Sequence, residues 1–257
     1  MTSAAITDAL TTSYDAMWAE AAPLVRAGGA TLDPWLSCPT RDARRGVTLL
    51  TRPAPAVAST LEIFLEQLRK IEPSQYYQPM SDLHHTVLSL FTANADYESY
   101  LNHLPAYNAA IAESLAGMPP FAITISGITL APGAVLAQGF PHDGTLIAIR
   151  DRLRAALGIR GLGAALDRRY RIETAHMTLV RFAVPLRDPT RFADALATAR
   201  TTEFGARVVD DLELVLGDWF HTATHERELF RYRLGKACAL PDLGQNMTNL
   251  VTKKTVP

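Results

Sequence analysis

Apolar residues recur along this chain at two spacings, and the spacings divide it into elements. Leu61, Phe64, Leu65, Leu68 and Ile71 lie three and four apart, which predicts a helix over 58–71 with Ser59 or Thr60 as its cap and Pro73 as its stop. An earlier helix is predicted from a cap at Thr7 or Asp8 to the Gly28-Gly29 pair, and others over 96–115, 149–157 and 189–199. β-type runs predict strands at 46–53 and in the second half of YYQPMSDLHHTVLSLF, and alternation predicts one at 121–130, paired with 134–140 across Pro132-Gly133. Further β-type runs are 145–149, RYRIETAHMTLVRF, 208–215 and 229–234. The strands alternate apolar with polar residues, which suits antiparallel sheets covered by helices on one face.

The order of elements repeats. A β-type run opening on His-x-Thr, then a helix, then two or three strands, occurs over about 76–150 and again over about 170–235. The expected organisation is an N-terminal helical extension at 1–45, a two-part body at 46–238 and a tail at 239–257.

Composition removes several classes. Hydrophobic residues are 48% and charged residues 20% of 257, which is ordinary for a folded chain and excludes wholesale disorder. No apolar stretch is long enough to cross a membrane as a helix. The formal net charge is −1, so no broad basic track for a long nucleic acid is expected, although a nucleotide in a local pocket remains compatible. Cys38 and Cys238 are the only cysteines, too few for a thiolate metal site or a disulfide framework. MTSAAITDAL has no basic residue ahead of an apolar run, so it does not read as a secretory signal and a cytoplasmic protein is expected; a monomer is expected as well.

The candidate chemistry lies in the two repeated motifs. His84-His85-Thr86 and His176-Met177-Thr178 each open a hydrophobic run, and they lie 92 residues apart. Alternation along a strand places His84 with Thr86 and His176 with Thr178, while His85 and Met177 face the other way, into packing. Histidine exists in either protonation state near neutrality, because its ordinary pKa is about 6.5. Two histidines therefore suit a reaction that needs a base for water and an acid for a departing sugar oxygen. Two threonine hydroxyls suit the non-bridging oxygens of a phosphate.

These motifs resemble those of the 2H phosphoesterase superfamily, which includes RNA 2',3'-cyclic phosphodiesterases and 2'-5' RNA ligase-like proteins. The resemblance covers residues 46–235 and carries expectations. The fold is α+β, two pseudo-symmetric lobes, each an antiparallel sheet with helices on its outer face, around a central cleft. The activity is metal-independent hydrolysis of a cyclic phosphodiester or 2'-5' linkage of a nucleotide or RNA end, without a cofactor. His84 and His176 would be catalytic, and Thr86 and Thr178 would hold the phosphate. Many members continue the second motif to an arginine, which here is Arg181; strict alternation turns it away from His176, so a contact requires the strand to bend.

Other features are weaker. Tyr170 is six residues before His176 and would share its face in a continuous strand, as a contact for phosphate or base. Arg168, Arg169 and Arg171 read as a solvated basic run. A metal held by His84, His85 and His176 is opposed by strand parity. His221 and His225 have helical spacing but lack the glutamate of a zinc motif, and are expected on a solvated loop bordering the cleft. The alternative from another class is a non-catalytic module binding nucleotides in the same cleft.

Overall fold

A computed structural model describes residues 2–38, 41–166 and 171–235. The chain runs α1 (Ser3–Arg26), β1 (Arg45–Thr51), α2 (Pro55–Ile71), β2 (Tyr76–Tyr77), β3 (His85–Asn94), α3 (Glu98–Leu101), α4 (Leu104–Leu115), β4 (Phe121–Ala131), β5 (Ala134–Pro141), α5 (Thr145–Ile159), β6 (Met177–Arg181), α6 (Pro189–Thr198), β7 (Glu203–Val209), β8 (Asp211–Gly217) and β9 (Arg227–Arg233).

The strands form two antiparallel sheets, in the orders β3-β1-β8-β9 and β2-β6-β5-β4-β7. The α+β class and the two-sheet architecture expected from the sequence are therefore present. The lobes, however, are not the two halves of the chain. The first motif's strand, β3, lies in a sheet with β8 and β9, and the second motif's strand, β6, pairs with β5 of the first half. Helices follow the same exchange: α1, α2 and α6 pack around β4, β5 and β7, while α4 and α5 pack on each other and on β9 and β3. One contiguous core runs through both lobes, from Leu61 and Leu65 on α2 to Leu214 on β8 and Tyr232 on β9.

Several local expectations are corrected. The first helix begins at Ser3, where the Thr2 hydroxyl accepts from the Ala5 amide. Residues 145–149, read as a strand from their β-type content, form the first turn of α5. Leu146, Ile149, Arg150 and Leu153 are buried at spacings of three and four, so tertiary packing overrides local propensity. The helix at 96–115 is interrupted at Asn102–His103, ahead of Pro105 in the first turn of α4. The run at 208–215 belongs to two strands in different sheets, separated at Asp210. Among the described residues of RYRIETAHMTLVRF the strand is confined to 177–181.

The N-terminal helix is not peripheral. Tyr14 is fully buried; its hydroxyl donates to the Gly139 carbonyl at 3.1 Å and accepts from the amides of Gly139 at 3.2 Å and Ala175 at 3.1 Å. A side chain at Gly139 would collide with the Ala175 carbonyl, 2.0 Å from the position of a Cβ, so the absence of one allows this approach. Ala175 immediately precedes His176, and α1 thus fixes the entry to the second motif.

Candidate active site

Both motifs begin one residue before their strands, β3 at the edge of one sheet and β6 between β5 and the two-residue β2 in the other. His84, Thr86, His176 and Thr178 line one cavity of about 170 Å³, whose rim also holds Gln78, Arg181, Trp219 and His221. His85 and Met177 are buried on the opposite face, at 4% and 0% exposure. The alternation read from the sequence therefore places these six side chains as expected.

A shared irregularity extends the symmetry. In the pairing of β1 with β3, Leu49 and Leu50 oppose Leu88 and Thr86, so Val87 is an extra residue on the motif strand. In the pairing of β5 with β6, Val135 and Leu136 oppose Val180 and Thr178, so Leu179 is extra in the same way. Each bulge falls directly after the motif threonine and resets the alternation. Ser89 and Arg181, each three residues beyond its threonine, are thereby turned back into the cavity. This is the bend that a contact by Arg181 requires. Its guanidinium lies over the rings of Trp219 and Phe220, 5.5 and 5.7 Å from their centroids.

The imidazoles are held by different partners. His84 Nδ1 lies 2.8 Å from the Asp82 carbonyl. A carbonyl only accepts, so Nδ1 carries the proton and Nε2 keeps its lone pair. His176 Nδ1 lies 2.7 Å from the Thr174 hydroxyl, which both donates and accepts and so permits either tautomer. Burial holds His84 well below the ordinary imidazole range, with His221 and Arg52 acting in the same direction and the Asp82 carbonyl opposing. Burial, then Arg150 and Arg181, pushes His176 down to about 4. Burial pushes His85 down to about 3. Both cavity histidines are therefore neutral at pH 7 before an anion enters.

One residue of the site had no signal in the sequence, and another was expected in a more solvated setting. Arg150, on α5, is buried and donates to the carbonyls of Thr86 and Val87 at 3.0 and 2.9 Å, and to those of Glu173 and Thr174 at 2.9 and 2.8 Å. One guanidinium thus ties the backbones of both motifs. His221 borders the cleft as expected, but it is not solvated: its side chain is 12% exposed and its ring packs on His84. It has a φ of 55°, uncommon for a residue other than glycine, and its Nδ1 lies 2.8 Å from Glu226 Oε2. His225, its neighbour in the spacing argument, is half-exposed and lies 3.0 Å from Asp218. Arg171 is exposed and pairs with Asp151 at 3.1 Å. Tyr170, Arg168, Arg169, Cys238 and the 239–257 tail lie outside the described residues. Among the described residues, no three His, Cys, Asp or Glu side chains gather to hold a metal ion, and no helix is long and apolar enough to cross a membrane.

Two antiparallel sheets meet at a cleft lined by one His-x-Thr motif from each, a two-lobe α+β fold that the chain shares with solved structures. The solved structures that share it include TT0787 of Thermus thermophilus, with a TM-score of 0.54, 18% identity, and coverage of 74% of this chain and 97% of that one. E. coli LigT in its apo form has a TM-score of 0.51 at 15% identity, covering 75% and 99%. A structure described as a phosphoesterase has a TM-score of 0.50 at 14% identity, also covering 75% and 99%. At these identities the likeness is one of fold. No protein-family model matches the chain, and no curated protein matches its sequence.

Proposed function

We propose that this protein is a metal-independent phosphoesterase that hydrolyses a 2',3'-cyclic phosphodiester or a 2'-5' linkage of a nucleotide or RNA end. The observation that carries the reading is the convergence of His84 and His176, from opposite sheets, on one cavity with a threonine beside each. His84, with its lone pair on Nε2, takes a proton from water as the water oxygen bonds to phosphorus. His176, charged in the complex, gives its proton to the sugar oxygen as the phosphorus–oxygen bond breaks. Thr86 and Thr178 donate to the non-bridging oxygens, where charge accumulates. The anionic substrate raises the pKa of both imidazoles on binding and so helps His176 take up the proton it must deliver.

The test is turnover of a panel of 2',3'-cyclic nucleotides, 2'-5' dinucleotides and cyclic-phosphate-ended RNA, with and without chelator. The expected result is hydrolysis of at least one class, indifferent to chelator. No turnover of any class contradicts the proposal, and chelator inhibition reversed by added metal would mark a metal hydrolase instead.

A further inference from the structure

The cleft does not end at the histidines. His176, Thr178, Arg181 and Trp219 also wall a second, larger space of about 910 Å³, which runs out between the β4–β5 turn and the segment that joins α1 to β1. That segment supplies Trp35 and Arg44. The Arg44 guanidinium lies between two indoles, 4.7 Å from the Trp35 centroid and 5.2 Å from that of Trp219. The arrangement is fixed in advance. Thr31 and Asp33 donate backbone hydrogen bonds to the carbonyls of Pro132 and Phe182, both at 2.8 Å. Asp33 Oδ1 accepts from the Trp35 amide at 3.1 Å. Asp42 holds the Arg44 guanidinium through two bonds, from Nε at 2.8 Å and from Nη2 at 2.7 Å.

We infer that Trp35 and Arg44 form a substrate-binding wall, and that Trp35 receives the base of the nucleotide adjoining the one whose phosphate reacts. The inference rests on the reading of the inner cavity as the phosphate site. Trp219 borders both spaces and so belongs to the base next to the reacting phosphate, whereas Trp35 borders the outer space alone. The outer space suits a flat, uncharged ring better than further phosphates. Its arginines, Arg44, Arg171 and Arg181, are set against Asp33 and Glu173, and Arg44 and Arg171 are paired with Asp42 and Asp151. Trp35 retains 37% exposure, which leaves ring surface for stacking. The substrate is therefore at least a dinucleotide in extent.

The experiment compares a dinucleotide ending in a 2',3'-cyclic phosphate with the cyclic mononucleotide by kcat/KM. It also compares their 3'-phosphate forms by calorimetric binding. The wild-type protein is expected to prefer the dinucleotide about tenfold in both, within the range of one base stacked on one aromatic ring. Trp35→Ala brings both ratios close to one. Trp35→Phe, which keeps a ring, retains most of the preference and shows that the loss is not a folding defect. Ile159→Ala, at an exposed end of α5, leaves the ratios unchanged. Equal handling of the two ligands by the wild type, or ratios unaltered in Trp35→Ala, overturns the inference. Absence of turnover with a binding preference that still depends on Trp35 would defeat the proposed reaction and leave this wall standing.

Discussion

The ring of His221 lies 4.4 Å from that of His84, centroid to centroid, at an interplanar angle of 56°. The contact is held from behind by Glu226, which also pairs with Arg52. His221 is among the influences that keep His84 below the ordinary imidazole range. Removing the imidazole of His221 raises the His84 pKa and shifts a limb of the kcat/KM profile to higher pH. His221→Asn is the suitable variant, because asparagine tolerates a positive φ. An unshifted profile in that variant would show that the contact has no electrostatic consequence.

Acid should destabilise the fold through the buried histidines. In the unfolded chain an imidazole binds its proton at about pH 6.5. In the folded chain burial lowers His176 to about 4 and His85 to about 3, and lowers His84 as well. The unfolded state therefore binds more protons as pH falls from about 6.5 toward 3, and stability falls across that window, while these groups contribute no slope well above it. Tm measured from neutral pH down into this acid window should be flat at first and then decline. His85→Asn, which removes one group outside the cavity, should make the decline shallower and affect turnover less than stability. A Tm independent of pH throughout the window contradicts the burial of these rings.

Tyr14→Phe should destabilise the protein by about 2 kcal/mol, since it strands the buried amides of Gly139 and Ala175. Urea unfolding measures this. If the N-terminal helix were an appendage, the variant would be as stable as the wild type.

The motif side chains are legible in the sequence because strand alternation alone pairs His84 with Thr86 and His176 with Thr178. The fold class is legible because the order of elements repeats. Arg181 shows the limit of that reasoning. Its return to the cavity depends on the Leu179 bulge, which is a property of pairing with Val135 and Leu136 and not of the motif strand itself. Arg150 and Tyr14 have partners 23 to 161 positions away, so no local pattern marks them. The exchange of strands between the sheets is likewise a matter of long-range pairing. The 208–215 run reads as one strand because its apolar residues continue past Asp210, where the chain passes from one sheet to the other.

Length and salt should matter little beyond the second nucleotide. Formal net charge is −1, and the arginines of the outer cleft are opposed by acids. A pocket that grips one or two phosphates has a log–log salt slope of about −1 to −2, against about −0.7 per phosphate summed along a bound single strand. A dinucleotide and an RNA of about twenty nucleotides should therefore show similar kcat/KM at two salt concentrations. A strong preference for the longer RNA that collapses with salt would reveal a basic track.

The central claim is that His84 and His176 are two proton carriers that cannot replace each other. It is tested most directly by turnover of a 2',3'-cyclic phosphate substrate by His84→Ala and His176→Ala, with Tm measured on the same samples. Each variant is predicted to lose about 10²–10⁴-fold in kcat, the usual worth of a general acid or base, while remaining folded. Near wild-type turnover in either folded variant contradicts the claim.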